Sequence, residues 1–536
     1  MKQSRLKIIR VGFALLIFLP TTFIFLDFRD LVPVKIYRSV TFLQFVPSLM
    51  KYLTTFSLIS AGFIVVIIVT SLVGRVYCSA VCPLGIFQDL IARLGRKIRK
   101  KPYRYKFRKP NSIWRYGFLA LPILICLFGG GLIGVYFLDP YSIFGRIILN
   151  FGQPVYQGVN NLLAKIMESM NIYLLYPEDI IMPGIVVCIL PALMLIIIVW
   201  FSLRKGRLYC NSICPVGTLL GLISRVSVFQ IRIREDRCTK CAKCAAVCKA
   251  GCIDLKHQTV DSSRCVACFN CIGQCSEDAI QYQPNKLLKS SQNQPVQTNN
   301  SESKNDKIMG RRNALTRIAA AGLTLAGLSD KLFSSILPDS KKKIPSKIKP
   351  AKNFPVSPPG SLGIRHFTSH CTACHLCVSA CPTGVLQPSL NEYGLTGIMQ
   401  PHMDYSTKYC NFDCTKCSEI CPSGAILSIS LENKKSTQIG QVHFIRDNCI
   451  VYSENTACGS CSEHCPTQAV TMVPFKDNLT IPEINPEICV GCGACEYACP
   501  VQPYKAIYVD GNEIHQVAKQ PQIQELEEIE MEDFPF

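Results

Sequence analysis

The chain has 536 residues, 49% of them hydrophobic and 31 of them cysteine, with 57 Lys+Arg against 37 Asp+Glu. The basic excess is not spread evenly: residues 355–536 hold 9 Lys/Arg against 20 Asp/Glu, which argues against a nucleic-acid-binding surface and suits an anchored protein with an acidic C-terminal domain. The cysteines fall in dense, repeated groups, which excludes a short disulfide scaffold and points to metal ligation.

In chain order, four apolar stretches come first: Val11–Leu26, Phe56–Val73, Tyr116–Leu138 and Ile181–Leu203. Each approaches the roughly 20 residues that a helix needs to cross a bilayer. Leu31–Leu53 mixes polar and apolar residues and reads as an interfacial loop. The connection Tyr77–Asn111 carries ten basic residues, from Arg93 to Lys109, against Asp89 alone, so it should lie in the cytoplasm. Four spans return the chain to the cytoplasm after Leu203 and leave Asp139–Met182 outside. No histidine precedes His257, so the spans cannot supply His ligands to a haem.

Two segments match each other, "GRVYCSAVCPLG" and "GRLYCNSICPVG", and each carries C-x3-C-P at an expected cytoplasmic helix end. On a helix this spacing puts Cys78 and Cys82, and likewise Cys210 and Cys214, on one face. Gathered together, the four thiols hold a further iron–sulfur cluster, act as redox dithiols, or are structural. Cys126 and Cys188 stand alone in spans and read as small buried hydrophobes.

"CTKCAKCAAVC" and "CVACFNCIGQC" follow, each C-x2-C-x2-C-x3-C. Three close cysteines wrap three corners of a cubane and the fourth reaches the other cluster. That assigns Cys238, Cys241, Cys244 and Cys275 to one [4Fe–4S] and Cys265, Cys268, Cys271 and Cys248 to a second. Cys252 is a spare thiol. Lys249 and Ser276 stand where a proline usually follows the fourth cysteine.

Lys286–Lys307 is polar and reads as a tether. Arg311 and Arg312 then open "GRRNALTRIAAAGLTLAGL", a twin-arginine-like export signal whose apolar part is too short for an ordinary span. Four more groups occupy residues 361–512: Cys371, Cys374, Cys377, Cys381; Cys410, Cys414, Cys417, Cys421; Cys449, Cys458, Cys461, Cys465; and Cys489, Cys492, Cys495, Cys499. Each ends in C-x3-C-P, and three-plus-one sharing implies four [4Fe–4S] clusters. Ala425–Ile429 and Ala469–Val473 suit short ferredoxin strands. "CTACH" at Cys371–His375 matches a c-type haem site, but that reading would orphan Cys377 and Cys381.

This order of parts resembles a NapH-type membrane polyferredoxin, a quinol dehydrogenase subunit, fused to a NapG-type (MauM/NapG) four-cluster ferredoxin of periplasmic nitrate reductase systems. The resemblance implies that the outer groups share clusters and that the inner two do so as well. Cys371, Cys374, Cys377 would then take Cys499; Cys489, Cys492, Cys495 would take Cys381; Cys410, Cys414, Cys417 would take Cys465; and Cys449, Cys458, Cys461 would take Cys421. No flavin-attachment S-G-A-T string is present, which argues against a covalent flavin.

The expected fold is an α+β multidomain chain. A four-helix transmembrane domain covers 1–225, a two-cluster ferredoxin-like domain 226–285, a linker 286–360, a four-cluster polyferredoxin domain 361–512 and an acidic tail 513–536. The expected function is inner-membrane electron transfer through six [4Fe–4S] clusters, or seven if the paired C-x3-C-P motifs hold one. Electrons would run from quinol to a periplasmic reductase or cytochrome, without haem. The expected partners are membrane lipid, the quinone pool, the periplasmic acceptor and the twin-arginine export machinery; nucleic acid is not among them. The first ferredoxin domain would be cytoplasmic and the C-terminal one periplasmic. A metal-reducing maturation factor and a wholly cytoplasmic electron-input module are the rival readings; no residue marks a quinol site.

Overall fold

The computed structural model describes residues 2–285 and 347–519, apart from 28, 30, 99–104, 179 and 181–183. Arg311 and Arg312, most of the linker and the end of the acidic tail lie outside the described residues. The described residues on either side of the linker, from 2 to 285 and from 348 to 519, belong to one compact unit.

Among the described residues, two helices, Arg5–Leu26 and Val186–Lys205, are long and apolar enough to cross a membrane. Only 28% and 22% of their apolar windows are buried inside the protein, so most of that surface faces outward; Leu16, Leu19, Ile189 and Ile196 are examples. The helix Lys2–Leu26 has 25 residues and therefore rises about 37 Å, enough for a hydrocarbon core of about 30 Å.

The other two expected spans are shorter than the apolar runs suggested. Phe56 turns left-handed at φ 49 and a 3-10 turn follows at Leu58–Ser60, so the helix Gly62–Val73 has 12 residues. A Cβ on Gly62 would strike the Phe42 carbonyl. The run Tyr116–Leu138 is divided into the helices Ser112–Leu127 and Ile133–Leu138, with Gly129 at φ 78 and Gly131 at φ 61 between them. Leu31–Leu53, expected as a loop, contains the helix Val34–Phe42 and most of Phe45–Thr55, which bury Tyr37, Val40, Phe45, Val46 and Met50.

Among the described residues, ten strands form five two-stranded antiparallel sheets. In the first ferredoxin domain β1 (Phe229–Ile233) pairs with β4 (Ile280–Pro284), enclosing the pair β2 (Ile253–Asp254) and β3 (Thr259–Val260). In the C-terminal domain β5 (Leu386–Pro388) pairs with β6 (Pro401–Met403), β8 (Val470–Pro474) with β9 (Thr480–Ile484), and β7 (Thr437–Phe444) with β10 (Ile507–Val517). β8 falls on the expected Ala469–Val473 strand. Ala425–Ile429 forms no strand.

The C-terminal domain also reaches beyond its expected boundaries. Asn353 N and Phe354 N donate to Asp510 Oδ1 at 2.9 and 3.0 Å, so residues expected in the linker are strapped to β10. β10 itself runs into the expected tail. The strap is held by the Asp510 carboxylate, by backbone bonds from Gly511 N to the Phe354 carbonyl and from Met403 N to the Val356 carbonyl, and by the buried Val356, a pattern too short to stand out in the composition.

One of the apolar clusters connects all three parts. It includes Val266 of the first ferredoxin domain, Ile24, Phe25, Tyr141 and Phe144 of the helical half, and Leu376 and Ile420 of the C-terminal domain. The helix Lys2–Leu26 has the two ferredoxin domains at its opposite ends. Near its start, Arg10 Nη1 donates to the Ser79 carbonyl at 3.1 Å and approaches Asp89, which holds the first ferredoxin domain's Lys249. Near its end, the Phe25 ring and the Cys374 carbonyl both abut Gly145.

Candidate functional site

The matched segments fold alike. The first cysteine of each sits in a short helix, Tyr77–Ala80 or Leu208–Ser212, and the second lies immediately before the proline that opens the next helix, Pro83–Ile98 or Pro215–Ser224. The two thiols of a pair therefore do not share one continuous helix face: the chain turns between them, as a proline at a helix start favours. The N–H of Gly217 donates to Cys214 Sγ at 3.3 Å, and Gly85 does the same for Cys82. Cys78, Cys82, Cys210 and Cys214 are all buried. Cys214 has the other three as electrostatic neighbours, and Cys82 has Cys210 and Cys78. The structure thus brings the four thiols together.

Two arginines interlock the repeats. Arg75 Nη2 donates to the Cys210 carbonyl at 3.2 Å, and Arg207 Nη1 donates to the Cys78 carbonyl. Each guanidinium also covers the opposite glycine. A Cβ on Gly85 would lie 2.8 Å from Arg207 Nη1, and one on Gly217 would lie 3.0 Å from Arg75 Nη2. Arg75 Nη2 further donates to Cys78 Sγ at 3.7 Å, and Cys210 Sγ donates to Gln88 Oε1 at 3.1 Å.

The first ferredoxin domain docks beside this site. Arg75 Nη1 and Arg115 Nη2 both donate to the Ser263 carbonyl at 2.9 Å, and Arg207 N donates to the Lys249 carbonyl at 3.0 Å. Asp89 is the hub, with Arg207 Nη2 at 2.9 Å, Lys249 Nζ at 3.2 Å and Arg10 Nη1 at 3.6 Å. Burial works to raise its pKa, but Arg207, Lys249 and Arg10 outweigh that and hold the carboxyl well below the usual range. Lys249, in the place of the usual proline, is therefore an anchor. The signal was there in the sequence: a lone acid in a basic loop and a lysine at a proline position.

In this domain Cys238, Cys241, Cys244 and Cys275 line one cavity. Cys268 and Cys271 have Cys248 as a neighbour, and Cys271 also has Cys265 and Cys244. Cys252 Sγ lies 3.5 Å from Cys248 Sγ.

In the C-terminal domain the fourth cysteines correct the pairing that the resemblance implied. Cys421, not Cys499, accompanies Cys371, Cys374 and Cys377. Cys381 accompanies Cys410, Cys414 and Cys417. Cys449, Cys458, Cys461 and Cys499 line one cavity, and Cys465 accompanies Cys489, Cys492 and Cys495. Groups one and two therefore exchange fourth cysteines, as do three and four. The β5–β6 and β8–β9 pairs each close between the two groups of such a unit, which keeps the exchange local.

The donor set fits iron–sulfur clusters. Burial pushes the Cys461 thiol up to about 12, with Cys458, Cys499 and Cys449 adding to the rise. Burial likewise raises Cys492 to about 12, with Cys410, Cys489 and Cys465 adding. Converging buried thiols become thiolates only with a compensating cationic centre. Among the described residues no three His, Cys, Asp or Glu side chains close on a single-ion site.

The units also lie in sequence through space. Cys377 neighbours Cys417, Cys492 neighbours Cys410, and Cys495 neighbours Cys461. The Cys371 group faces the helical half, where Asp139 and Tyr141 neighbour Cys374. Asp139 in turn neighbours Tyr77 and Tyr209, which are adjacent to Cys82 and Cys214.

These features define an iron–sulfur electron-transfer protein of the ferredoxin type. A "4Fe-4S binding domain" model matches residues 54–102 and 189–234, covering both C-x3-C-P motifs, and "4Fe-4S dicluster domain" models match 370–426 and 456–502. The ferredoxin-type protein NapF of Escherichia coli K12 is 31% identical over 155 residues, 29% of this chain and 85% of that protein. The chain belongs to this Nap-type ferredoxin family. The ferredoxin-type protein NapH of the same organism is 25% identical over 232 residues, 41% of this chain and 66% of NapH. The methylamine utilization ferredoxin-type protein MauM of Methylophilus methylotrophus is 32% identical over 149 residues, 26% of this chain and 65% of MauM. No solved structure gives a significant match.

Proposed function

We propose that the chain is a multi-pass inner-membrane protein that passes electrons from quinol to a periplasmic reductase, such as a nitrate reductase, and that it combines NapH-like and NapG-like parts in one polypeptide. The observation that carries this reading is the placement of two ferredoxin domains at opposite ends of the helix Lys2–Leu26, with four buried thiols between them. The C-terminal domain rests on the segments expected outside and on the last turn of the expected third span: Tyr136 Oη donates to the Thr396 carbonyl at 3.1 Å, Gln153 Nε2 to the Ser379 carbonyl at 3.3 Å and Thr54 Oγ1 to the Ser423 carbonyl at 3.1 Å. The first ferredoxin domain rests on the segments next to the basic loop. This arrangement supports a cytoplasmic first domain and an exported second one, with Arg311 and Arg312 as the export signal.

Six four-cysteine sets would hold [4Fe–4S] clusters, and Cys78, Cys82, Cys210 and Cys214 a seventh. Bound clusters supply one-electron chemistry. The chain's own residues bury the thiols, offer N–H donors to their sulfurs and place Arg75 and Arg207 beside the central site, all of which tune potential.

Anaerobically purified protein should contain about 28 iron atoms, against about 24 if the central site is empty. A value near 8 would overturn the four-cluster C-terminal domain. Protease added outside spheroplasts should reach the C-terminal domain, and Arg311→Lys with Arg312→Lys should abolish that access. A domain that stays protected in the unaltered protein would favour the cytoplasmic rival.

A further inference from the structure

A cavity of about 100 Å³ lies where the segment before the helix Ser112–Leu127, the end of the helix Ile185–Lys205 and the Lys249 turn of the first ferredoxin domain meet. Lys106, Lys109, Arg115, Lys205, Lys249 and Arg264 line it, and among the described residues no carboxylate does. Arg115 and Arg264 are 2% and 5% exposed. Their guanidiniums are partly engaged. Arg115 Nη1 donates to Ser263 Oγ at 2.9 Å and Nη2 to the Ser263 carbonyl at 2.9 Å. Arg264 Nε donates to Asp261 and Nη1 to the Arg108 carbonyl, both at 2.6 Å. Arg115 Nε and Arg264 Nη2 are buried without a partner.

Buried charged donors left unmade are costly, and native proteins satisfy nearly all of them. The nearby carboxylates are already committed, Asp89 to Lys249 and Arg207, and Asp261 to Arg264 and Ser263. Among the described residues, then, these buried cationic donors face the cavity's basic lining with no carboxylate left to pair with them. The volume admits several waters or one tetrahedral oxyanion. The guanidinium geometry suits phosphate.

We propose that this pocket binds a phosphate group, carried by an anionic phospholipid at the cytoplasmic membrane face. The lipid source rests on the membrane reading above; the anion site does not. Two observations favour lipid. The pocket sits at the adjacent ends of two apolar helices, Asn111 capping one and Lys205 ending the other. Beside it, Ile113 and Trp114 project outward at 86% and 61% exposure, where acyl chains would lie and where tryptophan is favoured. Because Arg115 comes from the helical half and Lys249 and Arg264 from the ferredoxin domain, one phosphate would bind the two together.

The test uses the full chain in a neutral detergent. It is titrated with short-chain phosphatidylglycerol, with phosphatidylcholine of the same chain length and with inorganic phosphate. Binding is followed by tryptophan fluorescence, since Trp114 is one of two tryptophans, and by native mass spectrometry. Saturable binding of one phosphatidylglycerol, not matched by phosphatidylcholine, is expected. Arg115→Gln with Arg264→Gln should weaken it about tenfold or more. Should that variant fail to fold, Lys106→Gln with Lys109→Gln alters exposed lining residues only and should weaken binding severalfold, with iron content unchanged. Phosphate binding without lipid preference would keep the anion site and assign it to a soluble source, while removing the membrane argument. Equal binding of both lipids with no phosphate binding, or variants that bind phosphatidylglycerol as well as the unaltered chain, would overturn the proposal.

Discussion

The two C-x3-C-P repeats are alike in sequence and fold, yet their arginines are balanced differently. Arg207 reaches across to the first repeat and meets a carboxylate, Asp89. Arg75 reaches across to the second and meets neutral partners, Asn211 Oδ1 at 3.0 Å and the Ser263 carbonyl. One half of the interlock is ionic and shared with the ferredoxin domain's Lys249. The other half is a set of hydrogen bonds. Duplication thus supplied a symmetric frame for four thiols, and the docked ferredoxin domain broke the symmetry around it.

The sharpest break in this comparison is expected where symmetry should hold. Cys78→Ser and Cys214→Ser come from opposite repeats and should have the same outcome: loss of quinol-driven reduction of the C-terminal domain and of about four iron atoms per chain. Iron analysis together with reduced-minus-oxidised spectra checks this. Unequal loss, or full quinol-driven rates, would show that the thiols do not work as one site.

The next effect should be asymmetric. Arg207→Ala strips a buried carboxylate of its nearest cation and should destabilise the helical half by about 3–5 kcal/mol. Arg75→Ala removes hydrogen bonds to neutral acceptors and should cost about 1–3 kcal/mol. Denaturant unfolding in detergent measures the difference. A smaller effect should be symmetric again. Gly85→Ala and Gly217→Ala each push a methyl into the opposing arginine and the cysteine carbonyl, for about 1–3 kcal/mol apiece.

The smallest effect concerns pH. Asp89 is held below its usual range, so its contribution is fully present above the unfolded carboxyl value of about 4 and falls only as pH drops toward the lower folded one. Stability of the Arg207 side should therefore be flat between about pH 5 and 8 and decline in stronger acid, and Asp89→Asn should remove that acid dependence.

The cysteine groups were legible because each cluster takes three ligands from one short segment, and the duplicated motif was legible because its letters repeat. Which fourth cysteine crosses to which group was not. That depends on which segments fold as a unit, and here Cys421 returns to the Cys371 group while Cys499 returns to the Cys449 group. Hydropathy found the long helices but missed the left-handed Phe56 and the Gly129–Gly131 turn, because backbone breaks leave little trace in an apolar average. Asp89 and Lys249 were visible as oddities of charge and proline usage, but their meeting lies in the tertiary fold.

The carboxylate at Asp89 also orders assembly. Its three cations come from segments far apart in the chain, Arg10 in the first helix, Arg207 after the second long helix and Lys249 beside a ferredoxin cysteine. A helical half formed before the Cys248 turn still lacks one counterion and the backbone cover that Lys249 gives Arg207. The last segment to arrive completes the balance for all the others, so the helical half and the first ferredoxin domain should mature as one cooperative step, with chains lacking a folded ferredoxin domain left open to quality control.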